Sequence, residues 1–154
     1  MDNFQSDDAI GRNKFKTDFG HLYKFEDTNE FDHTDLRMTA CTSGCRYNVE
    51  LKKRYYCIND ISGATILEKI KLDAFREAYR QDKTVCQLYF NYYFDDWIAF
   101  DITRRIKYGV GLDNQGVMQL PCTTSVDNGL KDKDVIFLAY TTDMYVCDRM
   151  KICK

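Results

Sequence analysis

Between Asp35 and Lys53 the chain alternates in a way that leaves few options for its fold. Leu36, Met38 and Ala40 recur at every second position, and after Thr42-Ser43-Gly44-Cys45, which reads as a turn, Tyr47-Asn48-Val49-Glu50-Leu51-Lys52 follows. On a strand successive side chains project to opposite faces, so Val49 and Leu51 point one way and Glu50 and Lys52 the other. The stretch therefore predicts two short strands joined by a turn, with one dry face and one charged face. Asp35 adds a second carboxylate; Asp32 competes for that place, but Asp35 directly precedes the alternation and so lies at the mouth of the strand. Two carboxylates can hold a hard cation such as Mg²⁺, which keeps several waters and takes its remaining ligands from substrate phosphate. A lysine beside them can orient a water or stabilise charge on a phosphate. The plainer reading is an exposed sheet face on which Glu50 and Lys52 pair as opposite charges.

Asp35 followed by Glu50-Leu51-Lys52 resembles the split D…ExK signature of the PD-(D/E)XK nuclease superfamily, whose members cleave nucleic-acid phosphodiesters with an αβββαβ core. The order of elements over roughly residues 7 to 105 is similar to that of small phage-type or bacterial members. The resemblance implies an α/β (α+β) single domain, a restriction-endonuclease-like mixed central sheet flanked by helices, with residues 106–154 as a C-terminal extension. It also implies that Asp35 and Glu50 bind Mg²⁺ or Mn²⁺ together with the carbonyl of Leu51. Lys52 would position or help deprotonate the water, and Lys71 would contact the scissile phosphate. The substrate would be nucleic acid, DNA ahead of RNA, and a homodimer is compatible with this. The first helix of the superfamily often carries an acid; here Asp18 and Glu26 are the available carboxylates, and a solvated helix face or loop is the preferred reading for both. The rival from another class is a catalytically inactive fold used as a binding module or as a phage structural or inhibitory component.

The remaining elements follow from periodicity. Asp7 to about Tyr23 is read as a helix with Ile10, Phe15, Phe19 and Leu22 on one stripe, weakened by Gly11 and Gly20. Lys24 to Thr34, polar and acidic, is read as a loop. Tyr55-Tyr56-Cys57-Ile58 either continues the second strand with a bend or forms a third after a break near Arg54. Ser62 is a good cap for a helix in which Ala64, Leu67, Ile70, Ala74, Phe75 and Ala78 repeat through about Arg80. Lys71 lies beside that stripe; its plainer role is a solvated lysine with an i,i+4 partner. Val85–Tyr93 and Trp97–Ile102 predict a hairpin turned by Asp95-Asp96. Their aromatics could stack on bases, but core and sheet surface are the preferred reading. A late strand is expected at Val135–Tyr140, and a terminal strand or helix over 141–154.

Composition narrows the classes. A chain of 154 residues with 44% hydrophobic and 30% charged residues is the size of one globular domain, and no apolar run approaches the ~20 residues of a membrane helix. The acidic start, Met1 to Asp8, lacks a signal core, so a cytoplasmic protein is expected. A net charge of −2 argues against a non-specific nucleic-acid coat but not against a basic groove, for which Lys52, Lys53, Arg54, Lys69, Lys71, Arg76, Arg104 and Arg105 are available. Of seven cysteines only Cys41 and Cys45 are close; an odd count without a secretion signal favours free thiols, with zinc there as the lesser alternative. His21 and His33 lack ligand spacing, and no phosphate-cradling Gly-rich motif is present.

Overall fold

A computed structural model describes residues 3–29, 32, 34–58, 63–121 and 129–139. In chain order the elements are α1 (Asn3–Phe19), β1 (Tyr23–Asp27), β2 (Leu36–Ala40), β3 (Arg46–Lys53), β4 (Ala64–Glu68), α2 (Lys69–Gln81), β5 (Val85–Tyr92), β6 (Trp97–Asp101), α3 (Ile102–Tyr108), β7 (Gln115–Pro121) and β8 (Leu130–Ala139). Five strands form a mixed sheet in the order β1-β2-β3-β5-β6, and three form a second sheet in the order β4-β8-β7. Within the larger sheet only β3 and β5 run parallel, the connection between them passing through β4 and α2.

Each face of the larger sheet has its own core. On one, Phe15 and Phe19 of α1 pack with Tyr47 and Val49 of β3, Phe90 of β5 and Trp97 of β6. On the other, Leu72 and Phe75 of α2 meet Tyr89, Phe100 and Ile102, and Ile136 and Leu138 of β8 close the layer. The parallel pair in the middle is thus covered on one face by α1 and on the other by α2 and the small sheet, as parallel strands require.

The alternation of β2 and β3 and the β5–β6 hairpin match the sequence reading. Other expectations do not. The helix expected from Ser62 begins at Lys69, because Ala64–Glu68 is a strand: Thr65 and Leu67 are buried, their neighbours less so, and Thr65 and Leu67 lie opposite Leu138 and Ile136 of β8. Ala64 and Leu67 fit a helical stripe as well as a strand, and pairing with β8 decides between them. Ser62 itself lies outside the described residues. The loop expected over 24–34 begins with an edge strand, β1, whose Tyr23 and Phe25 face inward between charged residues. The first helix stops at Phe19 rather than Tyr23; a Cβ at Gly20 would stand 2.5 Å from the Lys16 carbonyl oxygen. Residues 54–58 are not a strand. Two elements were unanticipated: β7, and α3, which Asp101 caps through Arg104 N–H (2.9 Å) and Gly109 ends in the left-handed region at φ 63°. The expectation for 141–154 falls outside the described residues. Among the described residues no helix is long and apolar enough to cross a membrane.

Candidate active site

The register of β2 on β3 brings Asp35 to the middle of β3. Leu36 lies opposite Val49, so Asp35, one residue earlier, donates its backbone N–H to the Val49 carbonyl at 2.9 Å. Its Oδ2 accepts the Leu51 N–H at 2.7 Å. Asp35 therefore straddles Glu50, held from both neighbours. Glu50 projects to the face opposite Val49 and is only 6% exposed. Above it Lys71, in the first turn of α2, places Nζ 2.8 Å from Oε1, whereas Oε2 is buried with no hydrogen-bond partner.

Burial is the largest influence on Glu50 and disfavours its charge; the negative charge of Asp35 adds to this, while Lys71 and Lys52 oppose it. The carboxyl is pushed up to about 7 from its ordinary 4.5. Burial works against the Lys71 ammonium, but the Glu50 carboxylate and its hydrogen bond, with the charges of Asp35 and Glu68, outweigh it and raise Lys71.

A cleft of about 210 Å³ opens here, lined by Glu50, Lys52, Arg54, Glu68, Lys71 and Tyr89 among others. Lys52 follows Glu50 at the strand period and stands exposed at its mouth. Arg54 lies beyond the strand end and is tied down: Nε donates to Asn91 Oδ1 (2.9 Å), and Nη2 donates to the Ile66 carbonyl and the Tyr89 hydroxyl oxygen, both at 2.8 Å. It joins the larger sheet to β4, so the two walls of the cleft share one guanidinium. Glu68, at the end of β4, pairs with Lys133 of β8 at 2.9 Å.

Asp35, Glu50, Lys52 and Lys71 are thus gathered at one place, with the Leu51 backbone bound to Asp35. Asp18 is elsewhere: its carboxylate accepts from the Tyr92 hydroxyl (2.8 Å) and pairs with Lys14 (3.3 Å), on the α1 side of the sheet. Glu26 is exposed on β1, and Asp32 accepts the Asn29 N–H and lies 3.7 Å from Arg37. Of the cations considered for a groove, Arg105 is buried and spent on the Gly111 and Ala139 carbonyls, and Lys69 and Arg76 both pair with Asp73. Cys41 and Cys45 are exposed and unbridged, and His33 lies outside the described residues. Sequence reasoning named Arg54 only as one of many cations and placed Glu68 on a helix. The signal for Arg54 was its parity with Glu50 and Lys52; for Glu68 there was none, since it depends on β4 pairing with β8.

The donors fit a hard divalent cation. Two carboxylates and a nearby backbone carbonyl are oxygen ligands, and Glu50 Oε2 is a buried acceptor without a partner. Among the described residues no group of three or more His, Cys, Asp or Glu gathers that could hold a metal, so water and phosphate would complete the shell.

No protein-family model matches the chain, and no curated protein matches it. Among solved structures it is similar to Hjc, a Holliday junction resolvase from the archaeal hyperthermophile Archaeoglobus fulgidus, with a TM-score of 0.51 over 84% of each chain at 8% sequence identity. At that identity the likeness is one of fold. With β4 set aside into the second sheet, α1, β1, β2, β3, α2 and β5 follow one another as α-β-β-β-α-β, and the chain shares the restriction-endonuclease-like fold of this neighbour.

Proposed function

We propose that this protein is a divalent-metal-dependent nuclease that hydrolyses phosphodiester bonds, DNA ahead of RNA. The observation that carries the reading is the buried Glu50 carboxyl, flanked by Asp35 and Lys71 in a cleft that also holds Lys52 and Arg54. A sheet face used only for stability has no reason to bury a carboxylate with one oxygen unpartnered. The structural neighbour is named for resolving Holliday junctions, a DNA substrate, and this supports testing DNA ahead of RNA.

In this reading Asp35 and Glu50, with the Leu51 carbonyl, hold Mg²⁺ or Mn²⁺. The chemistry such an ion supplies is the acidification of a water and the screening of phosphoryl charge. Lys52, exposed at the mouth, orients the water and helps remove its proton. Lys71 holds the charge of Glu50 in the resting cleft and offers its remaining ammonium protons to an oxygen of the scissile phosphate. Arg54, with three donor contacts already fixed, keeps the cleft walls together. A cytoplasmic setting and a homodimer as the working unit belong to the same proposal. The second reading, a silent fold used for binding, is favoured by one observation: no third carboxylate joins Asp35 and Glu50 among the described residues.

The test is cleavage of linear, nicked, branched and single-stranded DNA and of RNA with Mg²⁺ or Mn²⁺, comparing wild type with Glu50→Gln and Lys52→Met. We expect cutting by the wild type and a loss of at least roughly a hundredfold in both variants, more than the 10–100-fold typical of residues that only support a metal ligand. Calorimetry adds an activity-free readout. Mg²⁺ at a hundred times its Kd should stabilise the wild type by about 2.7 kcal/mol and leave Glu50→Gln unmoved. Activity that survives both substitutions removes the assignment.

A further inference from the structure

The hairpin of β7 and β8 reaches beyond the rest of its sheet. β4 pairs with β8 only over Val135 to Ala139, so among the described residues 130–134 pair with β7 alone, as a two-stranded ribbon of about 17 Å. Such a ribbon buries little and is marginal by itself. Its root is anchored: Val135, Ile136 and Leu138 are buried, and the Ala139 carbonyl accepts from Arg105. Arg54, donating to the Ile66 carbonyl, ties the neighbouring β4 to the larger sheet.

The sequence of the ribbon sorts its charge. Lys131-Asp132-Lys133-Asp134 is neutral as a run, but the strand period puts the two lysines on one face and the two aspartates on the other. Two observations identify the lysine face. Lys133 Nζ stands 2.9 Å from Glu68 Oε1, and Leu120 lies directly opposite Lys131. Glu68 and Leu120 both line the cleft that holds Glu50 and Lys71. The lysine face therefore continues the cleft wall outward, with Lys131 one strand repeat, about 7 Å, beyond Lys133.

Charge on this side favours an anion even with every carboxylate ionised. Lys52, Arg54, Lys71, Lys131 and Lys133 stand against Asp35, Glu50 and Glu68. Residues 131–134 also border an open groove of about 430 Å³ with Glu68, Lys69, Ile70 and Asp73, where carboxylates offset the lysines. A polyanion is thus drawn to the cleft side of the ribbon. Phosphates flanking the cut are the polyanion that a phosphodiester-cleaving site brings with it, and lysine binds them as a point charge without reading sequence.

We infer, on the strength of the nuclease reading above, that the β7–β8 ribbon is a backbone clamp in which Lys131 contacts a phosphate of the substrate outside the cleft. Lys133, fixed on Glu68, holds that face over the cleft. The substrate class is nucleic acid long enough to extend past the cut along the ribbon.

The experiment measures binding in EDTA, without cleavage, of a short mixed-sequence DNA as single strand and as duplex over a series of salt concentrations. For whichever form the wild type binds, Lys131→Gln should weaken affinity about fivefold and make the salt dependence shallower by roughly 0.7–0.9 in log–log slope, the share of one phosphate contact. Lys131→Arg keeps the charge and should bind as wild type. Asp132→Asn, an equal change in net charge on the opposite face, should shift affinity less than about twofold. Both positions are exposed, and circular dichroism verifies folding. An unchanged slope in Lys131→Gln, an equal and opposite shift in Asp132→Asn, or no binding by the wild type overturns the clamp. So does unchanged binding with an altered oligomeric state, which would assign the face to a second copy of the chain. The two readings fail separately. A wild type that loses the Lys131 contact on substitution but cuts nothing with metal removes the nuclease and keeps the clamp. One that cuts while Lys131→Gln binds as wild type removes the clamp alone.

Discussion

The larger sheet presents two faces made by the same strands, and one residue of offset separates them. On the α1 face Phe90 lies 5.0 Å from both Phe15 and Trp97 and 5.6 Å from Phe19, all buried. On the α2 face the neighbours of Phe90, Tyr89 and Asn91, stand with Glu50 and Gln87, all of them also buried. Glu50 Oε2 and Asn91 Nδ2 have no hydrogen-bond partner there. The α1 face returns the free energy of burying large rings. The α2 face spends part of it on desolvating polar groups. A fold that tolerates such a face has a use for it, and the parallel pairing of β3 and β5 supplies both surfaces from one pair of strands.

The largest effect is expected on the dry face. Phe90→Ala removes the ring on which Phe15, Phe19 and Trp97 converge and should cost about 3–5 kcal/mol of stability, measured by urea unfolding. A loss below about 1 kcal/mol would mean that α1 does not depend on this cluster and would break the contrast between the faces.

How much of that contrast was legible follows from where each residue takes its instructions. Val49, Glu50 and Leu51 could be sorted to their faces from the alternation alone, because a strand has only two sides. Asp35 could be chosen over Asp32 because it abuts β2. By contrast, the Ala64-Thr65-Ile66-Leu67 stretch carries a spacing that serves helix and strand alike, and its partner β8 is more than sixty residues away. Glu68, and the wall of the cleft that β4 builds, were hidden with it. The α3 helix was missed for a different reason: its signals, Asp101 as cap and Gly109 as stop, stand in the sequence but bracket only seven residues beside a strongly strand-forming run.

A smaller effect, of opposite sense, is expected on the polar face. Glu50 has its folded pKa raised to about 7 from 4.5. Between those values the native state holds the proton that the unfolded chain has released, so native-bound protons exceed unfolded-bound ones and stability falls as pH rises. The Glu50 contribution is favourable below about 4.5 and fully lost above about 7, a swing of roughly 3 kcal/mol. Glu50→Gln cannot ionise and should flatten this part of the profile, leaving the variant more stable than wild type at pH 8 and close to it at pH 5. A variant equally destabilised at both pH values would show that Glu50 stabilises through packing and hydrogen bonding, and the α2 face would then be an ordinary core.

The smallest effect sharpens which neighbour restrains Glu50. Lys71 opposes the rise in the Glu50 pKa through its charge and its 2.8 Å contact, whereas burial and Asp35 drive it. Lys71→Met keeps much of the aliphatic stem and removes only the charge, so the carboxyl should titrate at higher pH and the stability lost on deprotonation should extend beyond the wild-type window. At pH 5, where Glu50 is largely protonated, the variant should match wild type closely; at pH 8 it should be less stable, and Asp35→Asn in the same background should restore part of the loss. Urea unfolding at the two pH values reads each of these. If Lys71→Met weakens the protein at pH 5 as much as at pH 8, the lysine acts by packing Leu72 and the start of α2 rather than by neutralising charge. The tension between Asp35 and Glu50 would then be relieved elsewhere on the same face.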